Sequence, residues 1–420
     1  MNLGKATLHF VLGSIKIALR GSGIYYLWLA FLVLLIVLGV DAYSYQLEHG
    51  LIVTALRDPV SWGYYIGNFT FLVGVAAAAV VLVIPAYIYH WKPIKEIVIL
   101  GELMAIAALV MCMLFVLVDI GRPDRVLHIM PLVGTLNIPS SLLAWDVLVL
   151  NLYFMVNLSV VSYLLISLFR KREPNPYIFM PLVLFSIPVA VGIHSVTAFV
   201  YNGLPGRPYW NAAILAPKFL ASAFCSGPAL MLILLQILRK TARLDIKLEA
   251  IWKIAELMAY AMFLNLFFQA AEVFKEWYSD THHLQHMRYL YFGLDGHGSL
   301  IGWAWISVVC SVGAFLLFLI PATRKNVITL NLGCVMIWCG VYIEKGLGLV
   351  VPGFTPSTLG EIYEYHPTST EFLVGCGIFG IGALLFTFMT RVAIAVVNGD
   401  FVMQGEGPED RPPRLVDPNR

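Results

Sequence analysis

Ten long apolar segments constrain this chain more than any other feature. They lie near residues 24–45, 61–89, 97–119, 142–170, 178–201, 212–238, 248–279, 298–321, 327–350 and 371–397. Each has the length of about 20 residues that an α-helix needs to cross the hydrocarbon core of a bilayer. Backbone groups in lipid must satisfy their hydrogen bonds within the segment, which favours helices. The sequence therefore predicts an all-α integral membrane protein with ten transmembrane helices.

The amino-acid composition excludes several classes of protein. Hydrophobic residues make up 60% of the chain and charged residues 12%, whereas soluble domains contain about 25% charged residues. This balance excludes a soluble enzyme, a nucleic-acid-binding protein and a disordered chain. The 6 cysteines lie inside apolar stretches and form no CxxC motif, so we expect no c-type haem, no iron–sulfur cluster and no disulfide framework on this chain.

Basic residues predict the orientation in the membrane. Of the 27 Lys and Arg residues, 19 fall on one side, and the other side has only Arg57, Arg122, Arg125, Arg207, Lys275, Arg288 and Lys345, with Lys218 inside a span. Because Lys and Arg favour cytoplasmic loops, both termini are predicted to be cytoplasmic. The protein is expected in the cytoplasmic membrane, with the loops at 46–60, 120–141, 202–211, 280–297 and 351–370 facing outward.

A short internal repeat predicts the organisation of the spans. Gly101–Ala107 opens the third span and resembles Ala255–Ala261, which opens the seventh. The same offset superimposes neighbouring spans, as in repeated helical units. We therefore predict two four-helix bundles, flanked by peripheral helices and a polar tail. The predicted divisions are an N-terminal segment with the first helix (1–60), bundles at 61–201 and 202–350, an outer loop with the last helix (351–400), and a cytoplasmic tail (401–420).

Polar side chains collect near the outer ends of the predicted spans. Intramembrane ionisable groups are costly and often functional, and the set here comprises Asn68, Asp119, Asp146, His194, Glu272, Glu344 and Lys345. Two of these acids leave alternatives open. Asp119 can pair with Arg122 at i+3 or lie in an Arg-lined mouth. Glu272 can pair with Lys275 at i+3 or carry protons.

Histidines and inner acids leave further alternatives. His194 is either a satisfied core histidine or a ligand partner, and haem ligation lacks a second buried histidine at matching depth. The cluster of His282, His283 and His286 lacks an evident third metal ligand, so we expect a solvated loop and no metal site. Glu102 and Glu256 either extend a proton path from the cytoplasmic face or are simply paired or snorkelling.

Four stretches resemble the NrfD/polysulfide reductase membrane-subunit family. They are residues 61–74, 119–125, 144–146 and 194–197, and the resemblance extends over roughly 20–395. Within the family, residues 69–89 and 263–283 most resemble the P subunit of the membrane complex associated with dissimilatory sulfite reductase. The long membrane subunit of haem-linked quinone reductase complexes is also similar.

The resemblance implies a subunit without haem or metal that binds menaquinone or menaquinol near the outer face. It implies an extracytoplasmic four-cluster ferredoxin-like iron–sulfur partner and further haem-bearing and iron–sulfur subunits. The family's quinone-site positions correspond to Asn68, Asp119, Arg122, Asp146, Tyr153 and His194. The short polysulfide reductase members of the family have a histidine one turn after the Asn that corresponds to Asn68, whereas this chain has Leu72. The orientation of the quinone head group in those members therefore cannot be transferred to this chain.

Together these observations predict a quinone-interacting subunit of a respiratory electron-transfer complex linked to sulfite or sulfur metabolism. Proton acceptors are expected at Asp119, Asp146 or Glu272, because a positioned carboxylate can take a proton from a hydroxyl. We expect Asn68, Tyr153 and His194 to orient the head group, and Arg122 with Arg125 to form the docking surface. A secondary transporter and a non-catalytic scaffold for redox subunits are the alternatives.

Overall fold

A computed structural model describes residues 3–403 except 77, 90, 96, 131–132 and 242–245, with side chains described from Leu8 onward except at Ala78. Within this part of the chain, ten helices are long and apolar enough to cross a membrane. This confirms the predicted all-α, ten-span architecture. The helices are α1 (Gly23–His49), α2 (Tyr64–Ile88), α3 (Val98–Asp119), α4 (Leu142–Phe169), α5 (Pro176–Asn202), α6 (Leu215–Thr241), α7 (Leu248–Ser279), α8 (Ile301–Leu319), α9 (Val327–Phe354) and α10 (Ser369–Val397).

Shorter elements connect or interrupt the spans. A helix at Leu3–Leu19 precedes α1, and helices at Pro321–Lys325 and His283–Tyr291 lie between spans. The last turn of α2 is a π-helix at Ile84–Ile88 that includes Pro85. The α9 segment is broken at Gly346, with helices Val327–Lys345 and Leu347–Phe354 on either side. Most of the predicted polar tail, from 404 onward, lies outside the described residues.

The helices pack in neighbouring pairs. α2 packs on α3 and α4 on α5, while α6 packs on α7 and α8 on α9. α6 also contacts α2 and α5, which joins the two sets of four helices. Below, α2–α5 are called the first bundle and α6–α9 the second bundle. The boundaries predicted from the repeat stay a prediction.

The first and last spans form a peripheral pair against the first bundle. α10 packs on both α1 and α3. A Cβ on Gly39 would lie 2.5 Å from the Cα of Gly377, so α1 and α10 cross with their backbones in close contact. Small residues permit this approach between membrane helices, where packing rather than the hydrophobic effect drives association.

The segments 50–63, 120–130, 133–141, 203–214, 280–300 and 355–368 lie at one end of the bundles, here called the loop-rich end. An aromatic cluster closes this end between the bundles. Trp210 is fully buried, and its ring centroid lies 5.0 Å from that of Phe354, 5.1 Å from Tyr201 and 5.7 Å from Trp62. Its indole Nε1 donates to the carbonyl of Leu349 at 2.9 Å. The cluster therefore fixes the loop-rich ends of α5, α6 and α9 relative to one another.

Candidate functional site

One face of α5 organises the polar side chains of the first bundle. His194, Thr197 and Tyr201 have the i, i+3, i+7 spacing that aligns side chains along a helix, and all three are buried. Thr197 Oγ1 donates to Asp146 Oδ1 on α4 at 2.7 Å. The Tyr201 hydroxyl lies 2.5 Å from the hydroxyl of Thr70 on α2. Hydrogen bonds thus join α5 to α4 and, one turn further along α5, to α2.

His194 has one satisfied and one free ring nitrogen. Its Nδ1 lies 2.8 Å from the carbonyl of Ala190, and a carbonyl can only accept, so the proton resides on Nδ1. The other nitrogen, Nε2, is buried without a hydrogen-bond partner among the described residues. In the neutral ring this nitrogen is an acceptor. It can therefore take a hydrogen bond or a proton from a hydroxyl group.

Asp119 supplies a second free acceptor. It is the last residue of α3, and its Oδ1 is buried with no hydrogen-bond partner among the described residues. Buried polar atoms in folded proteins are usually paired, and an unpaired one calls for an explanation. The groups with which it interacts electrostatically include Glu371 and the Tyr65 hydroxyl. Asp119 therefore lies where the first bundle meets the peripheral helix pair.

Arg122 does not pair with Asp119, which corrects the i+3 pairing considered from the sequence. The helix ends at Asp119 and Ile120 is extended, so the i+3 geometry is lost. Arg122 instead donates to Asp124 at 2.9 and 3.0 Å. This pair is exposed, and the guanidinium holds the pKa of the Asp124 carboxyl below its usual range. Arg125 is exposed on the same loop.

Asn68 and Tyr153 are buried and already satisfied. Asn68 Nδ2 donates to the carbonyl of Tyr64 at 2.8 Å, and the Tyr342 hydroxyl of α9 donates to its Oδ1 at 2.9 Å. Tyr153 donates to the carbonyl of Ala76 at 3.2 Å. These two bonds use one of the two amide protons and one of the two oxygen lone pairs of Asn68, so its amide can still bond to a ligand.

Glu371 connects several segments at the loop-rich end. It was not among the residues predicted from the sequence. Its carboxylate is fully buried and accepts from the backbone N–H groups of Ala55 and Thr368, both at 2.9 Å. It also accepts from the Tyr365 hydroxyl, which in turn accepts from the Tyr64 N–H at 2.8 Å. The sequence signal was present, because Thr368 and Glu371 form a capping box with the usual Ser/Thr-x-x-Glu spacing.

The second bundle carries an ion-paired triad. Lys218 Nζ of α6 lies 2.8 Å from Glu272 Oε2 of α7 and 3.3 Å from Glu344 Oε1 of α9. Asn265 Nδ2 donates to the other oxygen of Glu344 at 3.1 Å. The pairing of Glu272 with Lys275 is wrong, because Lys275 pairs with Glu276 at 2.6 Å. Lys218 was not predicted as a site residue from the sequence, although a single lysine inside an apolar span could have indicated it.

A small cleft lies beside this triad. It is lined by Lys218, Glu272 and Glu344 together with Tyr209, Gln269, Tyr291 and Ser307, and its volume is about 30 Å³. This volume admits water, since a single water needs roughly 10–15 Å³ on this measure. Burial raises the pKa of the Tyr209 and Tyr291 hydroxyls. The two tyrosine hydroxyls are therefore neutral hydrogen-bonding groups that line the cleft beside the triad.

The remaining predicted residues lie apart from both clusters. Glu102 of α3 is buried, and its Oε2 has no partner among the described residues, but it precedes Asp119 by a helical rise of roughly 26 Å. Glu256 is partly exposed and interacts with Tyr260 at 3.0 Å and Lys253 at 3.4 Å. In the outer histidine cluster, His286 is buried with Nδ1 2.7 Å from the Pro352 carbonyl.

The fold and the site define a multi-pass integral membrane protein with buried proton-accepting groups near one face. Comparison with known proteins gives the family. The family model described as "Polysulphide reductase, NrfD" matches residues 52–355, and the chain belongs to this NrfD family.

Relatives extend the match over most of the chain. It is 27% identical to a putative dimethyl sulfoxide reductase membrane subunit of Halobacterium salinarum, covering 85% of this chain and 88% of the relative. It is 23% identical to a selenate reductase subunit of Mesobacillus selenatarsenatis, covering 85% and 91%. It is also 23% identical to an Hdr-like menaquinol oxidoreductase integral membrane subunit of Archaeoglobus fulgidus, covering 90% and 98%. The narrower resemblance to the sulfite-reductase-associated subunit stays a prediction.

Proposed function

We propose that this chain is the quinone-interacting membrane subunit of a multisubunit electron-transfer complex. The observation that carries the proposal is that two atoms in the loop-rich half of the first bundle, Asp119 Oδ1 and His194 Nε2, are buried without a hydrogen-bond partner among the described residues. Both atoms accept hydrogen bonds, and a quinol hydroxyl can donate one to either of them. The name of the Archaeoglobus relative, a menaquinol oxidoreductase subunit, supports menaquinol as the quinol.

The residues suit proton transfer from a quinol. Quinol oxidation releases two electrons and two protons, and a neutral imidazole or a carboxylate at hydrogen-bond distance can accept such protons. His194 presents Nε2, while Thr197 orients the carboxylate of Asp146 at 2.7 Å. Asn68 and Tyr342 offer an amide and a hydroxyl that can bond to the head group.

Electrons require a partner, and the loop 120–141 supports a docking surface for it. Arg122 and Arg125 are exposed there, as are the apolar side chains of Leu127, Met130 and Val133. Basic and apolar groups in one patch suit an acidic protein surface, because charge complementarity steers docking. We propose an extracytoplasmic iron–sulfur subunit as this partner, beside further haem-bearing and iron–sulfur subunits.

The distribution of Lys and Arg supports a cytoplasmic-membrane location with the loop-rich end outside and both termini in the cytoplasm. Two relatives are named as subunits of a putative dimethyl sulfoxide reductase and of selenate reductase, which supports a place in a reductase complex. The link to sulfite or sulfur metabolism is the narrower part of the proposal. It is supported by the resemblance at residues 69–89 and 263–283.

A titration of the purified complex with a fluorescent quinone-analogue inhibitor tests the proposal. We expect saturable binding that weakens by about tenfold or more in Asp119→Ala and in His194→Ala, since each loses an acceptor for a ligand hydroxyl worth about 1.4 kcal/mol or more. The control is Asp58→Ala, which changes an exposed acid on another loop of the same end.

Two results would count against the proposal. Absence of binding to an intact wild-type complex would leave a scaffold or a transporter. If the assembled control and the two assembled site variants bound the inhibitor with equal affinity, the quinone site would have to lie outside the first bundle.

A further inference from the structure

Lys345 is a buried lysine whose Nζ contacts no carboxylate among the described residues. It lies at the break in α9 and is 3% exposed. Its Nζ donates to the Phe219 carbonyl at 2.8 Å and lies 4.7 Å from the centre of the Phe219 ring. An ammonium has three protons to donate, and a buried charge is costly unless its hydrogen bonds are satisfied. Further acceptors are therefore required around this nitrogen.

A glycine leaves space beside the lysine. A Cβ on Gly74 of α2 would lie 3.4 Å from Lys345 Nζ and 3.3 Å from Ser226 Oγ of α6. Ser226 is fully buried, and its hydroxyl has no hydrogen-bond partner among the described residues. Two polar groups from the second bundle thus point at one glycine of the first bundle.

His194 approaches the same point from the other side. Its ring lies beside the carbonyl of Val73, the residue before Gly74, and it interacts electrostatically with Lys345. The contact with Val73 is too weak in geometry to satisfy Nε2, which has no hydrogen-bond partner among the described residues. The free Nε2, the Ser226 hydroxyl and the Lys345 ammonium are contributed by α5, α6 and α9 and converge at residues 73–74 of α2. All three have unmet hydrogen-bonding capacity in a buried place.

Lys345 also connects to the triad of the second bundle. Glu344 is its neighbour in sequence, and Lys345 interacts electrostatically with Glu344, Lys218 and the Cys225 thiol. Glu344 in turn lines the water-sized cleft beside Lys218. Electrostatic interactions therefore extend from His194, across the interface between the bundles, to the cleft, with no direct hydrogen bond between Lys345 and Glu344 among the described residues.

We infer that residues 73–74, His194, Ser226 and Lys345 form a binding site for a proton-exchanging water, which connects the first bundle to the Lys218–Glu272–Glu344 triad. The inference rests on the proposed function for the source of the proton. Water fits the site because it donates two and accepts two hydrogen bonds, and buried waters typically have about three polar partners. The second bundle thereby becomes the route by which protons from the quinol site leave.

The transfer conserves protons and involves no change in electron count. His194 Nε2 accepts one proton from the quinol hydroxyl, the second quinol proton goes to a carboxylate of the first bundle, Asp119 or Asp146, and the two electrons pass to the iron–sulfur partner. Nε2 has one lone pair, so it contacts the water afterwards, as the N–H donor of the imidazolium once the quinone oxygen has withdrawn. Lys345 gives one ammonium proton to Glu344 through an intervening water, because the two side chains are not in contact, and regains one from the His194 imidazolium through the water of the site. Glu344 then releases its proton to water in the cleft. The net result is one proton moved from His194 to the cleft.

The test compares Lys345→Met with Lys275→Met in the complex reconstituted into vesicles. Both variants remove an ammonium at the loop-rich end, but Lys275 is exposed and lies outside the proposed route. Quinol oxidation and proton release are followed together with a pH-indicating dye, and inhibitor affinity is measured separately. For Lys345→Met we expect an inhibitor Kd close to wild type and a fall of about 100-fold in proton release and turnover, the size of a lost proton-transfer group.

Two outcomes would overturn the inference. Unchanged turnover and proton release in Lys345→Met would show that protons leave by another route. An equal loss of inhibitor affinity would make Lys345 part of the quinone site instead.

A second measurement separates this inference from the proposed function. A cryo-EM map of the complex that resolves ordered water should show a peak within hydrogen-bond distance of Lys345 Nζ and Ser226 Oγ, whether or not quinone binds. An empty site in such a map would refute the inference alone. Absence of inhibitor binding to wild type, with the water present, would refute the proposed function and leave the water site standing.

Discussion

The two bundles place buried polar groups at the same loop-rich end, but they satisfy them differently. In the first bundle, Asp146 accepts from a hydroxyl, and acceptors on Asp119 and His194 have no partner among the described residues. In the second bundle, Lys218 contacts two carboxylates. Single atoms of Ser226, Asn265 and Glu276 in that bundle also lack a partner among the described residues, so the difference concerns the triad and not every polar group. A compensated triad is complete without a ligand, whereas free acceptors are costly unless something binds them. This difference supports our proposals that the first bundle binds the ligand and that the triad of the second bundle stabilises the fold and passes protons.

Lys218→Met should produce the largest loss of stability. The substitution keeps the approximate length of the side chain but leaves Glu272 and Glu344 together without their cation. Breaking a buried ion pair by removing one partner costs about 3–5 kcal/mol. We expect a markedly lower melting temperature of the purified complex, followed by intrinsic fluorescence.

Lys275→Met is the matched control, because that lysine is exposed and pairs with Glu276. A Lys218 variant as stable as this control would mean that the triad contributes nothing to folding. The contrast between the bundles would then rest on the first bundle alone.

Asp146→Asn should separate activity from stability in the first bundle. Asparagine retains a side-chain carbonyl oxygen that can accept from Thr197, so we expect a small change in melting temperature. It cannot accept a proton, so turnover with quinol should fall about 100-fold, which corresponds to about 2.7 kcal/mol. Steady-state quinol oxidation by the assembled complex measures the effect. Normal turnover in this variant would exclude Asp146 as a proton acceptor.

The fold could be predicted from the sequence more fully than the candidate site. The ten spans follow from length and hydropathy alone, since lipid allows only internally bonded helices of about 20 residues. The depth of Asp119, Asp146 and His194 follows from their positions along those spans. Their partners do not, because contacts between helices depend on rotation and crossing geometry. Thus Glu272 faces α6 and pairs with Lys218, while the sequence suggested Lys275 one turn away.

Residues outside the bundles illustrate the same limit. Glu371 could be recognised as part of a capping box from its spacing to Thr368. Its contact with the Ala55 N–H joins positions 316 residues apart, and a local pattern carries no information about such pairs. The peripheral helices thereby reach the candidate site, a role that hydropathy alone does not reveal.

A pH titration of stability should give the smallest effect and extends the comparison to the loops. His286 is 5% exposed on the helix His283–Tyr291, which covers the cleft of the second bundle, and burial lowers the pKa of its imidazole. The folded state therefore favours the neutral ring, whereas the unfolded chain protonates near pH 6.5. Stability from this residue is present above about pH 6.5 and is lost as the pH falls toward the lower folded-state pKa.

His286→Gln should abolish this acid-side loss, of about 1 kcal/mol or less, in melting temperatures measured between about pH 5 and 8. The glutamine amide can still donate to the Pro352 carbonyl but does not titrate in this range, so the substitution removes the protonation and keeps the contact. His128→Gln, on an exposed loop residue beside the first bundle, should leave the profile unchanged. Identical profiles for the wild type and both variants would show that protonation of His286 does not oppose the packing of this helix over the cleft.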